Sequence, residues 1–186
     1  MKTQRKKITA IVLAAGKGTR MGKSRKPKVL FELAGKSMLE HVLGTLYSMK
    51  FNNYCVVLGK NWEEFKPVLS SYESLRVCVQ EEQNGTAGAV ASTSFLFTDI
   101  SPLEYGSGGL VSGKVIPAEG SVLICYGDTP LLDKVLLESF VHDYQSMGSE
   151  LSVLGMKHPN PTGYGRLLLS ATGELESIVE EKDASE

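Results

Sequence analysis

The feature that most limits the possible folds of this chain is a repeated alternation between short apolar runs and longer amphipathic segments. The apolar runs are bounded by Gly, Asn or Ser and are rich in the residues that favour strands. They are ITAIVLA (8–14), NYCVVLG (53–59), LRVCVQ (75–80), SVLICYG (121–127) and ELSVLGM (150–156). Apolar residues at three- and four-residue spacing predict helices in the segments between them, 37–50, 61–72, 86–97 and 133–147.

Strands that alternate with helices form a parallel sheet, because right-handed crossovers place the helices on both of its faces. We therefore predict an α/β fold with a Rossmann-like, doubly wound, mostly parallel sheet, in a single domain over residues 1–186. The Gly-rich stretch 101–120 is predicted to be a flexible insertion, with a functional lid as the alternative. Ligands of such sheets bind beyond the carboxyl ends of the strands.

Charge and apolar content exclude several classes of protein. A net charge of -1 argues against a nucleic-acid-binding protein, and no apolar run approaches the roughly 18 residues that span a membrane. The basic start and the short apolar run after it lead directly into glycines and cations, which is not typical of a secretory signal. Cys55, Cys78 and Cys125 lie inside apolar runs, which predicts reduced core thiols and a cytoplasmic location.

The loop that follows the first predicted strand, LAAGKGTRMGKSRKPKVL (13–30), carries six Lys or Arg residues and no acid. Gly16 and Gly18 allow positive φ and close backbone approach, so that main-chain N–H groups can converge on an anion. Arg20 and Lys28 supply full charges for a phosphate chain. The position of the loop after a strand favours phosphate binding over the alternative, a solvated basic turn.

Two common phosphate-binding motifs do not match. The dinucleotide fingerprint needs a third glycine where this loop has Met21. The Walker A pattern needs a hydroxyl residue after its lysine, but GGLVSGKV (108–115) ends in Val115. A phosphate site in the loop after the first strand would therefore differ from both of these motifs.

Five stretches along the chain, the loop 13–30 and then QEEQNGTAGAV, CYGDTPLL, PTGYGRLL and SIVEEKDA, resemble the sugar-phosphate nucleotidyltransferases. Among these, they are most similar to the N-acetylglucosamine-1-phosphate uridylyltransferases, the pyrophosphorylase half of a bifunctional bacterial enzyme. The resemblance implies a nucleotide-diphospho-sugar transferase fold, with UTP and N-acetylglucosamine 1-phosphate as partners and Mg²⁺ as cofactor. The implied products are pyrophosphate and UDP-N-acetylglucosamine, a peptidoglycan precursor made in the cytoplasm. Homo-oligomerisation is left open.

The resemblance also implies roles for individual residues. Arg20 and Lys28 match the catalytic cations, and Asp128 matches the metal ligand. The substrate-binding residues would be Leu13, Ala14, Ala15, Gly16, Gly18, Thr19, Gln80, Gly85, Thr86, Tyr126, Gly127, Gly165 and Glu180. The alternatives in function are a related nucleotidyltransferase for another nucleotide or sugar phosphate, and a nucleotide-binding remnant without turnover.

The residues themselves allow structural alternatives at three of these places. Asp128 follows a strand and a glycine, where it could equally be a turn residue or an N-cap. The segment 80–86 could be a polar helix entry capped by Thr86. Glu180 could be one solvated acid in an acidic tail, with Glu181 as its rival for the same role.

The resembled domain continues past residue 186, with an Asn-Thr-Gly segment that binds the sugar and an Asn that completes the metal site. We therefore expect a domain truncated at its C-terminus. On this expectation the triphosphate half of the site is complete, and the sugar half has only Gly165 and Glu180 of its contacts.

Overall fold

The structure, a computed structural model, describes residues 7–16, 26–82, 85–97 and 120–183. It divides into two compact units, Met1–Val141 and His142–Glu186. The strands are β1 (Ile8–Leu13), β2 (Glu32–Leu33), β3 (Lys36–Ser37), β4 (Asn53–Leu58), β5 (Leu75–Val79), β6 (Ser121–Tyr126), β7 (Arg166–Leu169) and β8 (Leu175–Val179). The helices are α1 (Met38–Ser48), α2 (Lys66–Leu69), α3 (Thr86–Ala91) and α4 (Lys134–Met147).

The first unit is built on a four-stranded sheet of order β5-β4-β1-β6, in which every neighbouring pair is parallel. Leu13, the last residue of β1, pairs with Val57 in β4 and with Tyr126 at the end of β6. The strands therefore finish together at one border of the sheet, which we call the carboxyl edge. This arrangement confirms the predicted α/β fold with a mostly parallel sheet.

The sheet is covered on both faces at β1, where alternate residues belong to different buried clusters, whereas one face of β6 is exposed. Ala10 and Val12 pack in the cluster that contains Leu39 and Leu43 of α1. Ile11 and Leu13 pack in the cluster that contains Ala89 of α3. A strand that is covered on both sides is mostly apolar, which explains the nearly continuous apolar run of β1, in which Thr9 is the one polar residue.

The three cysteines are buried and are not joined in a disulfide. Cys55 and Cys78 are fully buried and Cys125 is nearly so, each as a free thiol, as predicted. Burial raises the pKa of the Cys125 thiol to about 11, because a thiolate loses its hydration in the core. This thiol is therefore protonated and inert near neutral pH.

Several predicted elements differ from those observed. Residues 150–156 are not a strand: they pair with no strand in the described part of the chain, and Leu151 is 74% exposed. The second unit instead contains the antiparallel hairpin β7–β8, which was not predicted. The predicted helix 61–72 is a 3₁₀ turn, Trp62–Phe65, followed by the single turn of α2.

The predicted helix 86–97 is likewise shorter than expected, because α3 ends at Ala91 and a 3₁₀ turn, Ser94–Phe97, follows it. The predicted insertion 101–120 lies outside the described residues except for Gly120. Across the four described ranges, every helix is too short or too polar to cross a membrane.

Candidate active site at the carboxyl edge

The chain leaves β1 through three buried residues, Leu13, Ala14 and Ala15, and reaches the surface at Gly16. The Ala14 N–H donates to Val57 O at 2.8 Å and extends the sheet by one residue. A Cβ on Gly16 would meet nothing within 4 Å, and its φ lies outside the left-handed region. Open space beside Gly16 suits the predicted approach of a ligand to the backbone. Gly18, Thr19 and Arg20 lie outside the described residues.

Lys28 begins a 3₁₀ turn, Lys28–Leu30, whose other two residues are buried. Val29 and Leu30 are 8% and 7% exposed, and the Leu30 N–H donates to Pro27 O at 3.0 Å. These contacts fix the backbone that carries the lysine at the carboxyl edge. This anchor was not predicted, although two apolar residues directly after the last cation of a basic loop are the signal for it.

The end of β6 packs closely against the residues that follow β1. The Gly127 N–H donates to Leu13 O at 2.9 Å, and a Cβ on Gly127 would lie 3.2 Å from Ala14 Cβ and 3.3 Å from Val29 Cγ1. No side chain fits there without moving its neighbours. Gly127 therefore lets β6 place Asp128 beside Lys28. Tyr126, the other predicted contact here, is half exposed.

An ion pair at this edge joins two of the predicted site residues. Lys28 Nζ donates to Asp128 Oδ2 at 2.8 Å, and each side chain is about two-fifths exposed (39% and 38%). Asp128 is a turn residue but not an N-cap, since the carboxylate of Asp133 accepts from Leu136 N at 2.8 Å at the start of α4. The N-cap alternative is therefore wrong, and the structure brings the predicted cation and the predicted metal ligand together.

Gln80 and Gly85, two of the predicted substrate-binding residues, lie next to the end of β5 and are joined by a hydrogen bond. Gln80 is 5% exposed, and its side-chain Nε2 donates to Gly85 O at 3.3 Å. Gly85 has φ 97° and is the N-cap residue of α3, a conformation that favours glycine. Thr86 is the first residue of α3 and is exposed, so its interpretation as the cap is wrong.

The close packing around Gly127 predicts the effect of adding one methyl group. Gly127→Ala should destabilise the chain by about 1–3 kcal/mol, the usual cost of overpacking, and should weaken ligand binding at the adjacent Asp128. Gly44→Ala is the matched control, because this exposed position in α1 has open space around it and should gain about 0.5–1 kcal/mol. Urea unfolding measures the free energy of unfolding of both variants. Equal free energies in Gly127→Ala and Gly44→Ala would contradict the close packing around Gly127.

The second unit holds the two predicted sugar contacts, Gly165 and Glu180. Gly165 precedes Arg166, and Glu180 follows Val179. Because Arg166 and Val179 pair in the hairpin, Gly165 and Glu180 lie side by side. Glu181 is engaged within the unit: its Oε2 accepts from Gly163 N at 2.7 Å, and its Oε1 lies 3.8 Å from Arg166 Nη2. The exposed Glu180 is therefore the better candidate of the two acids for an external ligand.

A resident metal would depend largely on other ligands. Within the described residues no group of three or more His, Cys, Asp or Glu side chains is placed to hold a metal ion. Asp128 offers one partly exposed carboxylate, whose Oδ2 accepts from Lys28 Nζ. Such a site fits Mg²⁺, which commonly takes one or two carboxylates and completes its shell with phosphate oxygens and water.

A family model described as the MobA-like NTP transferase domain matches residues 10–185. The bifunctional protein GlmU of Staphylococcus epidermidis is 40% identical over 177 residues, and that of Shouchella clausii is 36% identical over 176 residues. Each match covers 95% of this chain but 35% and 34% of the relative, respectively. The chain thus spans about a third of the length of these curated relatives.

Solved structures with low sequence identity share the fold. HddC from Yersinia pseudotuberculosis has a TM-score of 0.65 at 20% identity, over 92% of this chain and 68% of that chain. A candidate glucose-1-phosphate thymidylyltransferase from Bacillus anthracis, in complex with a sucrose, has a TM-score of 0.70 at 18% identity. That match covers 94% of this chain and 64% of the other.

Proposed function

Because this chain belongs to the MobA-like NTP transferase family, we propose that it joins UTP to N-acetylglucosamine 1-phosphate, giving UDP-N-acetylglucosamine and pyrophosphate. The proposal is supported most by one contact, the 2.8 Å approach of Lys28 and Asp128 at the carboxyl edge. A triphosphate needs a cation for its oxygens and a carboxylate for its metal, and these two groups meet where ligands of such sheets bind. The similarity to the GlmU proteins supports the choice of substrates.

In the proposed reaction, an oxygen of the sugar phosphate attacks the α-phosphorus of UTP. A new P–O bond forms there while the bond between the α-phosphorus and the α–β bridging oxygen breaks, and pyrophosphate leaves with that electron pair. Catalysis of this kind consists mostly of positioning and charge neutralisation. Lys28 and Arg20 would bind the phosphate oxygens and neutralise the charge that develops on the leaving pyrophosphate.

Asp128 would hold Mg²⁺, which supplies charge stabilisation to the phosphate oxygens when bound. The backbone N–H groups that follow β1, from Ala14 to Gly18, would bind the triphosphate. Glu180 would accept hydrogen bonds from sugar hydroxyl groups, since a carboxylate is an acceptor only. Gly165, beside it, would allow close approach of the sugar.

The uracil base would lie at Gln80, Gly85 and Thr86. Besides the N–H that donates to Gly85 O, the Gln80 amide carries a second N–H donor and the acceptor Oε1, and a base contact through Oε1 would require a donor on the base. Uracil presents an N–H at its pairing edge, whereas cytosine presents a ring nitrogen acceptor there. A contact to Gln80 Oε1 would therefore favour uridine over cytidine.

Pyrophosphate release, measured with each of the four nucleoside triphosphates and several sugar phosphates, tests the proposal. The expected result is the fastest release with UTP and N-acetylglucosamine 1-phosphate. A different preferred pair would replace the proposed substrates with those of a related nucleotidyltransferase. Triphosphate binding without release under any pairing would instead indicate a nucleotide-binding domain without turnover.

A further inference from the structure

The Lys28–Asp128 ion pair brings together two groups that the proposed function assigns to different ligands. Lys28 would bind a phosphate and Asp128 a divalent cation, yet in the structure they bind each other at 2.8 Å. The two residues are 100 positions apart in the chain, so the contact is made by the fold and not by local sequence. While the ion pair is formed, Lys28 cannot bind a phosphate fully and Asp128 cannot bind a divalent cation fully.

We propose that this ion pair is a latch, in which Lys28 withholds Asp128 from divalent cations until a triphosphate draws the lysine away. The inference rests on the proposed function. The Lys28 ammonium occupies Asp128 Oδ2, and a divalent cation bound to the same carboxylate would lie close to that positive charge and be repelled. Once a triphosphate offers its own oxygens to Lys28, the carboxylate becomes available and the repulsion falls.

The backbone around the latch is fixed, so the two side chains alone make the change. Val29 and Leu30 are buried beside Lys28, and Gly127 packs against Ala14 and Val29 immediately before Asp128. The lysine ammonium is carried on a flexible four-carbon stem, which can turn without any movement of the main chain. Both side chains are about two-fifths exposed (39% and 38%), so water can solvate them as they separate.

Binding of Mn²⁺ in the absence of nucleotide, followed by electron paramagnetic resonance, tests the latch. Lys28→Met should bind Mn²⁺ about 5-fold more tightly than the wild-type chain, the scale expected for loss of an exposed ion pair together with like-charge repulsion. Lys60→Met is the matched control. It removes the same charge from an exposed position two residues after β4, at the same edge of the sheet.

The result that overturns the latch is Mn²⁺ affinity in Lys28→Met that is no higher than in Lys60→Met. Asp128→Asn separates this outcome from a failure of the proposed function. If Asp128→Asn loses Mn²⁺ binding while Lys28→Met gains none, the metal site stands and the latch is wrong. If Asp128→Asn binds Mn²⁺ as the wild type does, Asp128 is not the ligand, and both the metal assignment and the latch are wrong.

The latch also predicts the reciprocal effect on nucleotide. With all divalent cations chelated, Asp128→Asn should bind UTP about 5-fold more tightly than Asp133→Asn, because only the first substitution releases Lys28. Asp133→Asn is a fair comparison, since it removes one acid nearby and asparagine can still cap α4. Equal UTP affinities in the two variants would contradict the latch.

Discussion

Replacing Lys28 with methionine is expected to weaken binding of UTP with Mg²⁺ by about 10- to 100-fold, the loss typical of a hydrogen bond to a charged group. The stability of the fold should change little, because the ion pair with Asp128 is partly exposed and such pairs contribute at most about 1 kcal/mol. Methionine keeps most of the length of the side chain and removes its charge together with its hydrogen-bond donors. Calorimetry of UTP binding, with urea unfolding alongside it, measures both quantities.

Lys60→Met serves again as the control for this prediction, and it should bind UTP within about 2-fold of the wild type, since loss of an exposed charge without a specific contact has a small effect. A Lys28→Met chain that binds UTP as well as Lys60→Met does would remove Lys28 from the phosphate site. Arg20→Ala, at a residue outside the described ranges, is expected to weaken UTP binding by a similar factor for the same reason.

Asp128→Asn is expected to abolish the increase in UTP affinity that Mg²⁺ produces in the wild-type chain. The amide keeps the shape of the side chain and removes the charge that holds a hard cation. The measurement compares UTP affinity with Mg²⁺ and with a chelator, for Asp128→Asn and for Asp133→Asn. In Asp133→Asn, Mg²⁺ should raise the UTP affinity as it does in the wild type. If Mg²⁺ also raises the UTP affinity of Asp128→Asn by the wild-type factor, Asp128 is a turn residue and not a metal ligand.

The parallel sheet could be predicted from the sequence because burial on both faces leaves a strong signal. In β1 every residue is buried, and its apolar run extends only to Ala14 and Ala15 beyond the end of the strand. Residues 150–156 carry a similar run, but strand formation requires a partner, and in the described chain this segment has none. The hairpin β7–β8 was missed because its strands are short and largely exposed, although Gly173, with φ 84°, marks the turn between them.

The candidate site could be predicted in position but not in its contacts. The rule that ligands bind at the carboxyl edge located both Lys28 and Asp128. Their direct contact depends on the pairing of Leu13 with Tyr126 and on the buried turn after Lys28, neither of which can be read from residue types. Glu180 and Glu181 are chemically alike in the sequence, and only the hydrogen bond from Gly163 N to Glu181 distinguishes them.

Titration of the ¹⁵N-labelled chain with UTP and Mg²⁺ shows whether the carboxyl edge of the sheet binds a nucleoside triphosphate. The largest shifts of backbone amide signals are expected at Gly16, Lys28, Gly85 and Asp128. Amides at the opposite edge, where β4 and β6 begin, should change little. Shifts concentrated at that opposite edge, or no shifts at millimolar UTP, would contradict the account.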